Sequence, residues 1–127
     1  MHELSIAKGM MANLRPWLDG QPDDLRVRKI KVKAGPFRAI MPDALVSAWE
    51  IVRMEHPKTA ESSVEIDPSY ISVICKGCGA TWDAERPVFT CPKCGSSDLE
   101  FGGGNELFIE DIETYMEEND GEKRRQQ

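Results

Sequence analysis

The chain has 127 residues, 40% of them apolar and 30% charged, with a net charge of −6. That balance describes one globular domain, or a small domain carrying a smaller lobe. It disfavours a protein whose main task is to grip phosphate backbones, and no apolar run is long enough to span a membrane.

The spacing of Leu4, Ala7, Met11, Leu14 and Leu18 predicts a first helix over Glu3 to Leu18, ending or kinking just before Pro16. Asp19 to Asp24 reads as a loop. Leu25 to Lys33 reads as a strand with basic residues on an outer face. Val27 breaks parity with Ile30 and Val32, so the regular part is expected to start near Lys29. Pro42 to Met54 reads as a second helix, with Pro42 suited to its first turn, Asp43 to its positive end, and Leu45, Ala48, Trp49 and Val52 as its apolar stripe. Thr59 to Ile66 is expected as a second strand. Tyr70 to Ile74 should lead into a small lobe, and Leu99 and Phe101 should lead out of it. Gly102 to Gly104 reads as a flexible turn, and Glu106 to Ile112 as a last strand. Met10, Met11, Met54, Trp17 and Trp49 are read as packing residues, Trp82 as a cover for the lobe, and His56 as a solvated loop residue.

That lobe carries the strongest signal in the chain. Cys75-Lys76-Gly77-Cys78 and Cys91-Pro92-Lys93-Cys94 are two tight pairs, separated by the twelve residues 79 to 90. Each pair can offer two thiolates from one turn, and one hairpin can bring the pairs together. Four thiolates in a tetrahedral cage make a closed structural zinc site with no open position for substrate. Gly79 and Gly95 follow the pairs, where a positive φ is needed. Two disulfides are the alternative. The clustering at turns argues against them, as does an N-terminus lacking the basic-then-apolar order of a secretory signal; a cytoplasmic protein is the expectation.

Met1-His2-Glu3 is the second signal. The α-amine, the deprotonated amide of His2 and its imidazole can close fused five- and six-membered chelate rings on one metal. A fourth donor could be Glu3, water or a group elsewhere in the chain. Planar nitrogen-rich coordination suits Ni(II) and Cu(II). Taken alone, a histidine at position 2 is more often a plain surface residue.

Together these segments resemble the HypA/HybF family of hydrogenase nickel-incorporation proteins. The likeness runs through Met1-His2-Glu3-Leu4-Ser5-Ile6-Ala7, Lys29-Ile30-Lys31-Val32 and Met41-Pro42-Asp43-Ala44-Leu45, then both cysteine pairs with their following glycines, and Glu106-Leu107-Phe108-Ile109-Glu110. It implies a nickel metallochaperone, not an enzyme. Nickel would be taken by His2 with Met1 and Glu3, and structural zinc held by Cys75, Cys78, Cys91 and Cys94. The implied partners are a HypB-type nickel GTPase and the [NiFe]-hydrogenase large-subunit precursor, with urease a client in some bacteria. Ala34-Gly35-Pro36-Phe37-Arg38 departs from the family's usual Gly-Glu-Leu turn. The first helix, with Lys8, Gly9, Arg15 and Pro16, is less acidic than usual. Both departures leave the client open.

The fold expected is α+β: a small sheet with two helices forms a nickel-binding base from residues 1–69 and 104–117. A zinc-hairpin lobe is inserted at 70–103, and a polar tail follows over 118–127. The rival reading is a zinc-ribbon adaptor for protein or nucleic acid, against which the acidic charge and the lack of clustered basic and aromatic residues both count. Open sheet edges would also permit a homodimer by domain exchange.

Overall fold

The computed structural model describes residues 3–117. Two helices, α1 (Glu3–Asp19) and α2 (Pro42–Val52), accompany six strands: β1 (Leu25–Ala34), β2 (Ser63–Pro68), β3 (Ile71–Cys75), β4 (Thr81–Ala84), β5 (Leu99–Gly103) and β6 (Leu107–Met116). The strands form two three-stranded sheets, ordered β2-β1-β6 and β4-β3-β5. The α+β expectation holds, with β4 an element that the sequence reading did not foresee.

The first sheet builds the main core with both helices. β1 pairs parallel with β2 and antiparallel with β6. The parity break at Val27 is real and is absorbed by a bulge: the strand begins at Leu25 as expected, the register slips between Val27 and Lys29, and regular pairing resumes at Lys29. Val27, Ile30 and Val32 all reach the core as a result. β6 runs to Met116, beyond the expected end at Ile112, because its second half pairs with the early part of β1.

α1 buries Ile6, Ala7, Met10, Met11, Leu14 and Leu18, a wider stripe than the spacing suggested, while Leu4 at its start is exposed. The helix does not stop at Pro16. Proline there removes a single bond near the C-terminal end, and the complete burial of Leu18 holds the last turn in place. α2 buries the expected Leu45, Ala48, Trp49 and Val52. The chain then tightens into a 3₁₀ turn at Arg53–Glu55, leaving Met54 65% exposed rather than packed. Trp17 is also exposed, whereas Trp49 is buried.

Residues 56 to 62 form a buried polar turn, not the start of a strand, so β2 begins at Ser63. The Trp49 Nε1–H donates to Ser62 Oγ at 2.9 Å, and the Thr59 hydroxyl donates to the Arg53 carbonyl at 2.9 Å. His56 is 7% exposed, which overturns its reading as a solvated loop residue. Its Nδ1 accepts the Lys58 amide at 3.1 Å, so the proton sits on Nε2, 3.0 Å from Asp19 Oδ1. The imidazole ties the turn to the end of α1. His56→Ala should cost about 2 kcal/mol in urea unfolding, since it strands a buried amide; an unchanged midpoint would deny this role.

The second sheet has a small apolar cluster, Ile71, Val73 and Ala84, with Trp82, Val88 and Leu99 packed on it. Trp82 therefore serves this cluster. Three buried side chains are too few to hold a lobe by burial alone.

The two sheets meet where the chain crosses between them. Ser69 Oγ–H and the Gly104 amide both donate to Glu106 Oε1, at 2.7 and 3.0 Å. Glu106 thus holds the crossing that enters the second sheet and the one that leaves it. These bonds, with that from Ser69 first, pull its carboxyl below the usual range. The stabilisation is complete above the ordinary glutamate pKa and fades as pH falls through the lowered one. The Gly35 amide donates to the Glu106 carbonyl at 2.8 Å, and the Phe37 amide to the Gly104 carbonyl at 2.8 Å. Phe37 and Phe101 meet edge to face, with centroids 6.0 Å apart.

Gly102 to Gly104 is therefore not a free turn. Gly102 and Gly103 belong to β5, and Gly104 is buried with φ +88° against Ile71 and Phe37. A Cβ on Gly35 would collide with the Gly104 carbonyl. Gly35→Ala should accordingly cost about 3 kcal/mol, because the obstacle is backbone and cannot rotate away; a melting temperature equal to that of the parent would contradict the close approach.

Candidate metal centre

Ile71, Val73 and Cys75 alternate onto the buried face of β3, so the strand itself delivers the first thiol. Each cysteine pair then wraps a tight turn closed by its glycine. Gly79 N–H donates to the Cys75 carbonyl at 2.8 Å with φ +80°, and Gly95 N–H to the Cys91 carbonyl at 2.9 Å with φ +77°. The left-handed backbone expected at both glycines is present. The knuckles approach closely: a Cβ on Gly77 would stand 3.0 Å from that of Ser96. Lys76 N–H donates to the Asp98 carbonyl at 2.9 Å, fastening the first knuckle to the segment after the second.

The four sulfurs lie within 4.8 Å of one another. Cys75 and Cys94 are 3.5 Å apart, and Cys78 and Cys91 are 3.7 Å apart. A disulfide needs roughly 2.05 Å, so these are four free thiols. A tetrahedron with Zn–S bonds of roughly 2.3 Å has sulfurs about 3.8 Å apart, and the cluster fits that size. Cys75 and Cys91 are buried, while Cys78 and Cys94 face outward.

The Cys91 thiol is pulled down to about 7 by the backbone amides of Cys94 and Lys93. Cys94 is pushed up to about 12: the Ser96 amide draws it down, but the neighbouring sulfurs, Cys75 first, and desolvation outweigh that pull. Four thiols this close cannot all ionise unless a cation takes the charge.

Met1 and His2, the other expected metal residues, lie outside the described residues. Glu3 lies inside them. It opens α1, and its Oε2 accepts the Met41 amide at 3.0 Å. Met41 is the residue before the first turn of α2. The carboxylate therefore joins the starts of the two helices across 38 residues of sequence. The sequence reading placed the start of α2 but missed this contact, although an amide ahead of a helix is a natural anion seat. His56 uses both ring nitrogens in the contacts described above and is not one of the residues gathered in the cage.

A family model described as hydrogenase/urease nickel incorporation, metallochaperone, HypA matches residues 1–114. The chain belongs to the HypA family. A hydrogenase maturation factor HypA from Desulfatibacillum aliphaticivorans is 33% identical over 113 residues, covering 89% of this chain and 86% of its own length. One from Azotobacter vinelandii is 34% identical over 114 residues, with 89% and 98% covered. In fold, the chain is similar to the solution structure of the nickel metallochaperone HypA from Helicobacter pylori, with a TM-score of 0.59 at 23% identity over 92% of this chain and all of that one. The resemblance read from the sequence is borne out. HypA-family membership makes the chain a nickel metallochaperone of hydrogenase maturation rather than an enzyme. Among the described residues, no helix is long and apolar enough to cross a membrane.

Proposed function

We propose that the chain binds Ni(II) as cargo through Met1, His2 and Glu3 and passes it to the [NiFe]-hydrogenase large-subunit precursor, with a HypB-type GTPase as the other partner. Cys75, Cys78, Cys91 and Cys94 hold a resident zinc that fixes the lobe and does not travel. In this division, residues 1–69 with 104–117 form the nickel-binding base and 70–103 the zinc lobe; the tail assigned to 118–127 lies outside the described residues. The cytoplasm, where thiols stay reduced, is the working compartment.

The observation that carries this reading is the closed thiol cage in a HypA-family chain that begins Met-His-Glu. A four-sulfur site leaves no exchangeable position, so transferable metal needs another seat. Glu3 stands at the start of α1 with one carboxylate oxygen already fixed by Met41, which supports a donor set organised at that end of the base. The test is a Ni(II) titration of zinc-loaded protein with a native, untagged N-terminus. One nickel per chain with a planar d–d absorption band is expected. Acetylating the α-amine should abolish it, because that donor can then no longer close the five-membered ring. Equal binding with the α-amine blocked would refute the assignment.

A further inference from the structure

β6 is the edge of its sheet, and the described chain places no strand on its outer side. It is ten residues long, with a register shift opposite Lys31 and Val32. Beside its first residues lies an apolar groove of about 400 Å³, lined by Ile6, Gly9 and Met10 of α1 and by Leu107, Phe108 and Ile109 of β6. Gly9 faces open space: a Cβ there would meet no atom within 4 Å, so a larger side chain has room at this position.

We propose that the open edge of β6 and the adjoining groove are a docking site for an extended segment of a partner protein that alternates apolar and basic side chains. The charge of the sheet points to that chemistry. On the face away from the helices, β2 offers Glu65 and Asp67, β1 offers Lys29, Lys31 and Lys33, and β6 offers Glu110, Asp111 and Glu113. Neighbouring strands pair through Lys29–Glu65 at 3.2 Å, Lys33–Asp67 at 3.1 Å and Arg28–Glu113 at 3.2 Å. The order acidic, basic, acidic is completed by a basic fourth strand. Asp111, exposed and opposite Lys31, forms no ion pair among the described residues. A strand added to β6 would turn alternate side chains the other way, into the apolar groove.

Other occupants fit less well. A second copy of β6 would set acid against acid. The chain's own last residues, Glu122 to Gln127, hold basic groups but no apolar side chain for the groove, and the chain leaves β6 at its opposite end. The groove starts at Ser5, within a turn of Glu3, so a docked segment would lie beside the N-terminal residues. Its part in nickel transfer rests on the reading of Met1–Glu3 above; the surface itself does not.

The test uses zinc-loaded full-length protein without nickel, so that this surface and the nickel reading fail separately. An eight-residue peptide of alternating valine and lysine is titrated and followed by amide NMR. Shifts are expected at residues 107–113 and along the groove side of α1, with no binding of a valine–glutamate peptide. Gly9→Leu fills the groove with a better helix former and should weaken binding about tenfold. Asp111→Lys should weaken it about fivefold at low salt, with the difference shrinking as salt rises. No binding at about 1 mM, full affinity in Gly9→Leu, or shifts confined to β2 would overturn the proposal. Concentration-dependent dimerisation that protects β6 would overturn it in favour of a second copy of the chain.

Discussion

Removing zinc with a strong chelator, or replacing Cys91 by Ser, should unfold β3, β4 and β5 and leave the two helices on a folded β2-β1-β6 sheet. The apolar cluster of the lobe has three buried residues, whereas the main core has fourteen. A structural zinc supplies about 10–16 kcal/mol of binding free energy in small metal-folded units, far more than three side chains contribute by burial. Cys91 is the more telling choice because it is buried and its sulfur accepts the Lys93 amide as well as meeting Cys78. Serine leaves four groups near the metal but replaces a thiolate with a harder, less acidic donor. Amide exchange is the direct readout: residues 71–75 and 99–103 should lose protection while 27–32 keep theirs. Loss of protection throughout the chain would mean that the base depends on the lobe. Retained protection with zinc gone would mean that the cage is not what holds the lobe.

The second large effect is on nickel. His2→Ala should lower Ni(II) affinity by at least about a hundredfold, or some 3 kcal/mol, and abolish the planar absorption band. It should leave zinc content and unfolding midpoint unchanged. Alanine removes the imidazole and with it the six-membered chelate ring, while the α-amine and the amide remain. Binding should also weaken as pH drops, since the α-amine, imidazole and amide must all release protons to the metal. His56 cannot substitute, because both its nitrogens are committed inside the protein. Glu3→Gln provides a graded comparison: an amide oxygen can still accept the Met41 N–H but is a poorer metal donor than a carboxylate. Undiminished affinity in His2→Ala would remove the N-terminus as the nickel seat.

The parts of this protein that could be read from sequence share one physical property, which is that local chemistry decides them. The cysteine turns depend on a few adjacent residues and on the left-handed glycines that close them, so spacing was enough. The stripe of α2 was legible because each of its four buried positions follows from the helical period. Even the misfit at Val27 was a true signal, although its cause, a bulge against a strand some ninety residues away, was not visible. What failed was decided at long range. His56 looked like a loop residue because neither Asp19 nor the burial of the turn can be inferred from the segment around it. Gly102 to Gly104 looked flexible because glycine permits motion, yet here its small size admits Phe37 and the neighbourhood of Gly35. Pro16 looked like a stop because the local cost was visible and the tertiary gain at Leu18 was not. β4 is four residues long and too short for any period to reveal.

The pinning of Ser69 and Gly104 to one carboxylate bears on the order in which the chain assembles. Of the described strands, β6 emerges last from synthesis and must find β1, pairing Met116 with Leu25. Between β2 and β6 the chain makes an excursion through the entire cysteine hairpin, and its ends must be brought together before β6 can close the sheet. For an unstructured excursion the entropic cost of closure grows with the logarithm of its length. A metal-loaded hairpin whose entry and exit already lie side by side behaves as a short loop instead. If the cage holds zinc as proposed, metal captured early would be a folding aid for a sheet it never touches: it would shorten the search for β6 before that strand has formed a single bond.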